Sequence, residues 1–396
     1  MIEIKNKADC TCCTACASIC PKDAIEMVKD EDGFKYPVVN KEKCIECGLC
    51  VNVCPMLKKY ENKDNKIQFY AAYNKNADIK NESTSGGFFT ALAEKVIDCG
   101  GIVYGAAFDD ELNVIHCGVE DKKNLARFRS SKYVQSDLKS IFREIKENVE
   151  RGRNVLFSGT PCQIYGLKSY LPKEYSNLIC VEVICRGTPS PMYYEYYKKN
   201  KIEKYRSEIQ SLSFRKKTYG YNSSTMSIQF KNGKEYNRGH ESDELIKAFL
   251  NGYCSKESCY HCHFKSFTTI GDFKIGDLWN LGRYLGSEFQ NGTTLVICCS
   301  DKAKNLLNQI KDAIELKEID KKDAEFYNGN GNGSMILDIA YRPKERDTFL
   351  KDLRELGFRK VKSKYLKITP TEYVKMKLKP ILYKLKLLDK VKLRSK

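Results

Sequence analysis

The sequence predicts a mixed α/β (α+β) protein in three parts: a small cysteine-rich N-terminal module, a larger α/β body and a basic helical tail. Three observations carry this. Eight of the nineteen cysteines form two near-identical runs before residue 55, alternating strand and helix patterns follow from about residue 68, and the last segment concentrates the positive charge. The boundaries this suggests are 1–58 for the module, 68–150 and 151–350 for two parts of the body, and 351–396 for the tail.

The module is the most specific element. Cys10, Cys13, Cys16 and Cys20-Pro21, then Cys44, Cys47, Cys50 and Cys54-Pro55, each read C-x2-C-x2-C-x3-C-P. Bacterial-type ferredoxins hold two [4Fe–4S] clusters with this spacing, the fourth cysteine of each run ligating the other cube. The expected ligand sets are therefore crossed: Cys10, Cys13, Cys16 and Cys54 for one cluster, and Cys44, Cys47, Cys50 and Cys20 for the second. Zinc sites favour cysteine pairs separated by a longer gap. Cys12 fits neither register and reads as a spare thiol. Thiolate-only ligation implies low-potential cubanes and an oxygen-poor setting suited to an anaerobe. The module moves electrons.

A chain of 396 residues is long enough for two or three well-filled domains. The first ligand at Cys10 leaves no room for a signal peptide, no stretch is apolar enough to span a bilayer, and nineteen cysteines point to metal chemistry in the cytoplasm rather than disulfides. The formal charge of +17 is local: residues 359–396 carry +12, and the other 358 residues only +5. Tyr373, Met376, Leu378, Ile381, Leu382, Leu385 and Leu388 recur there at helical spacings. Such a helix suits an anionic membrane surface or an acidic partner, against the alternative of a solvated tail. No pattern of an RNA-binding module accompanies it, which argues against a nucleic-acid partner.

After a polar linker (57–66), the body reads in order as strands Ile102 to Phe108 and Val114 to Val119, and a helix Leu138 to Glu150. A buried strand from Asn154 to Phe157 leads into Ser158-Gly159-Thr160-Pro161-Cys162, a helix runs to Tyr170, and a strand spans Leu178 to Cys185. Strands Ile209 to Phe214 and Ser223 to Phe230 precede an Asn232-Gly233 hairpin turn. A helix Asp243 to Asn251, a strand Thr294 to Ser300 and a helix Asp301 to Ile314 capped by Asp301 complete the pattern.

Several glycine patterns are decoys. Gly329-Asn330-Gly331-Asn332-Gly333 has no strand leading into it and reads as a loop, and Gly159 to Ser169 lacks the spacing of a P-loop. Ser83-Thr84-Ser85-Gly86-Gly87 is different: it opens a helix whose apolar face is Phe88, Leu92 and Val96, where free N–H groups favour an anion or serve as an ordinary N-cap. Ser131-Lys132-Tyr133-Val134-Gln135-Ser136 adds a cation and hydroxyls. No catalytic triad is evident.

Together with Phe157 to Gln163, Cys185-Arg186-Gly187-Thr188-Pro189-Ser190-Pro191, Phe214-Arg215-Lys216-Lys217, Cys259-Tyr260-His261-Cys262 and Ile275-Gly276-Asp277-Leu278-Trp279, these segments resemble the beta subunits of coenzyme F420-reducing hydrogenase and F420-linked formate dehydrogenase. The resemblance runs from about Tyr70 to Phe349, and the N-terminal ferredoxin looks like that of the family's stand-alone members. Arg186 stands where the family usually has histidine. The resemblance implies a flavin-binding body: FAD across Ser83, Ser85, Gly86, Gly87, Lys132 and Tyr133, with Gly159, Thr160 and Pro161 nearby, exchanging a hydride with coenzyme F420 or a similar soluble carrier.

It also implies a third [4Fe–4S] cluster close to FAD. Cys162 follows one predicted strand, Cys185 ends the next, and Cys259 and Cys262 form a C-x2-C pair. Strands of an α/β sheet bring their carboxyl ends to one crevice. Cys254, His261 and His263 are rival ligands, and a zinc site at the C-x2-C pair is the competing reading. Two function classes follow: an enzyme coupling a hydride carrier through FAD to a one-electron protein partner, or a relay subunit without a substrate site. Bound flavin separates them.

Overall fold

The computed structural model describes residues 1–58, 67–279, 281–329 and 334–388, with backbone only at 282–283. Most of the predicted linker, residues 330–333 of the glycine loop and the end of the tail lie outside the described residues. The chain divides into two compact units: residues 1–190 with 255–340, and 191–254 with 341–396.

In the first unit, the module holds an antiparallel hairpin, β1 (Ile25–Lys29) and β2 (Lys35–Val39), with Ile25 opposite Val39. Two short helices, Ala15–Ile19 and Leu49–Asn52, carry the third cysteine of each run, Cys16 and Cys50. The body is one eight-stranded sheet. Its strands are β3 (Gln68–Asn74), β4 (Ile102–Phe108), β5 (Val114–Val119), β6 (Val155–Gly159), β7 (Leu178–Val183), and, after the second unit's β8 (Ile209–Lys216), β9 (Thr225–Phe230) and β10 (Glu235–Gly239), β11 (Phe273–Asp277), β12 (Thr294–Cys298) and β13 (Ile314–Ile319). The order is β13-β3-β12-β11-β7-β6-β4-β5. Pairs β4–β6, β6–β7 and β7–β11 are parallel, and the flanking pairs antiparallel.

Alternation along the strands sorts side chains to the two sheet faces. Val155 and Phe157 join a core with Phe142, Ile145, Ile164 and Leu167 from helices Ile141–Glu150 and Pro161–Tyr170. Leu156, Val181 and Phe273 join the other core, with Phe88, Leu92 and Val96 of helix Phe88–Asp98. The module enters the first of these cores through Cys13, Ala15 and Val53. Polar clamps reinforce that seat. Arg143 donates to the carbonyls of Ala17 (3.2 Å) and Ser18 (2.8 Å), Lys35 pairs with Asp137 at 2.6 Å, and Ser190 Oγ donates to the Asp32 carbonyl at 2.7 Å.

The second unit is built on an antiparallel sheet of order β10-β9-β8 and on helices Pro191–Tyr205, Glu244–Leu250, Arg346–Leu356, Phe358–Tyr365 and Pro370–Lys384. The predicted hairpin at Asn232-Gly233 is present, with Gly233 at φ +80°. Buried Glu244 accepts from Lys201 (2.7 Å) and Lys362 (2.5 Å), fixing the helices around one charge cluster. Among the described residues no helix is long and apolar enough to cross a membrane.

One predicted element is corrected. The helix expected over Asp301 to Ile314 ends at Ile310, and Ile314 opens β13. Its cap is Ser300, whose Oγ accepts from Ala303 N at 3.0 Å. A serine hydroxyl there leaves Asp301 inside the first turn, where its charge complements the helix dipole.

Candidate functional site

The two cysteine runs fold as a pseudo-repeat. Cys12 and Glu46, each just before the second ligand cysteine, take left-handed backbone (φ +58° and +52°), as do Thr14 and Gly48 just after it (φ +66° and +76°). Backbone amides point at sulfur in both halves of the module: Cys12 N to Cys10 Sγ at 3.4 Å, Ile2 N to Cys50 Sγ at 3.2 Å and Ala24 N to Cys20 Sγ at 3.3 Å. Cys12 therefore occupies a turn position, the counterpart of Glu46.

A pocket in the module is lined by Cys10, Cys13, Cys16 and Cys54, with Cys12 beside them, and walled by Ile2, Met27 and Pro37. These four are one crossed ligand set. Cys20 and Cys50 lie in the module's own apolar cluster, Cys44 is half-buried and Cys47 exposed. Burial pushes the Cys13 thiol up to about 12 and raises Cys16 further. A ligand thiol sheds its proton on metal binding, so iron loading would release protons here. All-sulfur donors, apolar walls and inward amides fit a cubane.

In the body, the register pairs Gly159 of β6 with Glu182 of β7, so Cys162 and Cys185 each follow that pair by three residues at the same sheet end. Cys259 joins them. A Cβ on Gly187 (φ +129°) would lie 3.2 Å from Cys259 Cβ, and Gly187 N donates to Cys185 Sγ at 3.3 Å. Lys256 N donates to the Thr188 carbonyl at 2.9 Å, and a bridge joins Pro189 to Ser255. The four thiols feel one another: burial raises Cys162, and the charges of Cys185, Cys262 and Cys259 raise it further. Burial likewise pushes Cys259 up to about 12. Burial raises the Cys185 thiol, partly offset by the Gly187 amide and by Lys265, which donates to the carbonyls of Cys185 (2.5 Å) and Met335 (3.1 Å).

Among the described residues no three His, Cys, Asp or Glu side chains converge on a single metal ion. A cubane instead spreads its four thiolates over the corners of a cube. Cys254 belongs to the second unit and is fully buried there. Arg186, at the departing family position, pairs with Asp338 at 3.4 Å.

The three segments expected at FAD are brought together. Thr84 Oγ1 accepts from Ser131 N at 2.8 Å, and Gln163 Nε2 donates to Ser136 Oγ at 2.9 Å. Several amides there are already engaged: Gly86 N donates to Thr294 Oγ1 (2.9 Å) and Thr160 N to Gln163 Oε1 (2.9 Å). Gly86 and Gly87 are also constrained from within. A Cβ on Gly86 would come 2.4 Å from the Ala72 carbonyl, and Gly87 sits at φ +81°. Pro161 is buried at the start of its helix, and Ser85 Oγ lies 2.9 Å from Thr294 Oγ1. Tyr133 is half-buried beside Lys132. The Lys132 ammonium turns inward to the carbonyls of Arg129 (3.0 Å) and Ser130 (3.2 Å), and burial lowers it to about 8. An anion in this corner would draw on the Lys132 charge more than on the turn amides.

Sequence reasoning missed four residues. His116 is buried, with Nε2 3.0 Å from the Ser158 carbonyl and Nδ1 without a partner, and burial drops it to about 4. Gln135 Nε2 donates to the Thr11 carbonyl at 3.3 Å, linking the Lys132 segment to a cysteine loop. Thr294 and Lys256 complete the set. Gln135 stands within the Ser131–Ser136 segment without its role being legible there, and the other three stand in no recognisable motif, so tertiary contact reveals all four.

Comparison with known proteins agrees with these parts. Residues 152–322 match the family described as the C terminus of the coenzyme F420 hydrogenase/dehydrogenase beta subunit. Residues 9–57 and 43–100 each match a 4Fe-4S dicluster domain. No curated protein matches the chain. A chain in the xenon-derivatised F420-reducing [NiFe] hydrogenase complex from Methanosarcina barkeri aligns at 13% identity and a TM-score of 0.45, over 67% of this chain and 86% of that one. Residues 152–322 thus carry the C-terminal domain of the coenzyme F420 hydrogenase/dehydrogenase beta-subunit family, joined to an N-terminal 4Fe-4S dicluster domain at residues 9–57, the parts of an iron–sulfur oxidoreductase.

Proposed function

We propose that this chain couples one-electron transfer through three [4Fe–4S] centres to hydride exchange at FAD, with coenzyme F420 or a similar reduced carrier as the two-electron partner and a redox protein as the other. The observation that supports this best is the gathering of Cys162, Cys185, Cys259 and Cys262 near one sheet end, with Cys162 on the helix whose Gly166 meets the module. When bound, FAD exchanges electrons singly or in pairs, which joins hydride chemistry to cubanes. The chain's own residues do the rest. Cysteine thiolates would hold the irons, backbone amides would donate to sulfur, and Lys132 would anchor an anionic group of the cofactor. Thr160 Oγ1, 3.3 Å from Cys162 Sγ, lies where cluster and flavin would meet.

The second reading, a relay subunit without a substrate site, draws support from the amides of Gly86, Ser131 and Thr160 already engaged by the protein. Anaerobic purification separates the two. A flavin spectrum that bleaches with reduced F420, NADH or NADPH supports the enzyme, and a flavin-free protein reduced only by ferredoxin supports the relay.

We read the tail, in the cytoplasm, as a surface for anionic membrane. Val374, Leu378 and Ile381 are exposed on one helical face, continued by Leu385, with Lys375, Lys377, Lys384 and Lys386 beside them.

A further inference from the structure

Lys256 was singled out by no motif, yet it is only 1% exposed. Its backbone is fixed at both ends: N donates to the Thr188 carbonyl at 2.9 Å, and its carbonyl accepts from Cys259 N at 3.0 Å. Its side chain crosses to the module, where Nζ lies 3.7 Å from the ring centroid of Tyr36 and 4.9 Å from that of Phe34. Among the described residues Nζ makes no hydrogen bond of ordinary geometry, and the Cys12 thiol is the polar group it meets. The Cys12 thiol and burial raise Cys10, and burial raises Cys259; the Lys256 charge works against both rises and helps bring Cys12 down to about 7.

A buried ammonium is costly unless its charge is met. Two aromatic faces meet part of it. Four thiolates outweigh the charge of an iron–sulfur cube, so each loaded centre is an anion and becomes more negative on reduction. A fixed cation beside such a centre favours its reduced form, as charge and hydrogen bonding around a cluster set its potential.

We propose that the Lys256 ammonium is a counter-charge shared by the Cys10-Cys13-Cys16-Cys54 centre and the Cys162-Cys185-Cys259-Cys262 centre, raising the reduction potential of both. Lys256 is thus a positioning and tuning residue for the step between them. In that step one cube loses one electron and the other gains it, while Lys256 stays an ammonium and no bond changes. The proposal rests on the three-cubane reading above.

The test is a potentiometric titration of the full-length, anaerobically reconstituted protein, followed by electron paramagnetic resonance. Centres are assigned by their loss in Cys47→Ala and Cys262→Ala proteins. In Lys256→Met, both flanking centres should become about tenfold harder to reduce, ~59 mV for a one-electron couple. The Cys44-Cys47-Cys50-Cys20 centre should not move, and Lys256→Arg should keep potentials near wild type. Unchanged potentials at full iron content would overturn the proposal. If the Met protein fails to hold iron, Lys256→Gln carries the same test. Only two centres in the wild type would defeat the three-cubane reading, and the Cys10 centre alone would then decide the role of Lys256.

Discussion

Cys13 of the module rests directly on Gly166 of the body: a Cβ at Gly166 would lie 2.8 Å from Cys13 Cβ and 3.0 Å from its Sγ. Gly166 is one helical turn beyond Cys162, so a single helix face meets one proposed cluster and carries a ligand of another. Gly166→Val should wedge the module off its seat and cost about 1–3 kcal/mol by overpacking, with Gly166→Ala intermediate. Chemical denaturation of the apo proteins measures this. Wild-type stability in the Val variant would mean that the module does not sit on this helix.

Lys132 gives the account a pH dependence. Its ammonium, lowered to about 8 in the cofactor-free site, would rise again beside a bound anion. Binding therefore favours the protonated form. FAD affinity should be flat below pH 8, fall as the pH rises above it, and level off past the pKa of the bound state. Fluorescence quenching at about pH 7 and about pH 9.5 should show roughly a tenfold loss, and Lys132→Met should bind weakly at both. Equal affinity at the two pH values in the wild type would remove Lys132 from the anion site.

Cys47 is the exposed member of the second ligand set. Cys47→Ala should abolish one cluster signal, about four irons per chain, and spare the others, because the neighbouring cavity takes its thiols from Cys10, Cys13, Cys16 and Cys54. Retention of every cluster signal would refute the assignment of Cys47 as a cluster ligand.

The tail tests separately. Within the second unit, Glu372 pairs with Lys247 at 2.9 Å and Lys379 with Glu241 at 2.7 Å. Deleting residues 375–396 removes only the second pair and should cost at most about 1 kcal/mol. Turnover with a soluble donor should persist while binding to anionic vesicles weakens. Unchanged vesicle binding by the truncated protein would leave the tail as a solvated helix.

The strands of the body were legible because β4, β6 and β7 are apolar runs bounded by turn residues, and the cysteine spacing announced the module outright. Helix ends were less legible. Ile314 looked helical beside Ile310, and only its pairing opposite Asn74 places it in a strand. The convergence of Cys185 with Cys259 was suggested by sheet logic but depends on contacts such as Gly187 against Cys259 that no local pattern encodes. Lys256 was illegible for the same reason: a single lysine before a C-x2-C pair looks like any surface cation. The glycine pair at 86–87 could be found but its cause could not, since it answers to the Ala72 carbonyl and a left-handed turn as well as to any ligand.

The central claim is the third cluster, and the most direct measurement is iron and acid-labile sulfide per chain in anaerobically reconstituted full-length protein. Three cubanes predict about twelve irons, falling to about eight in Cys262→Ala, with the module signals intact. About eight irons in the wild type, or zinc at the Cys259 and Cys262 pair, would contradict the account.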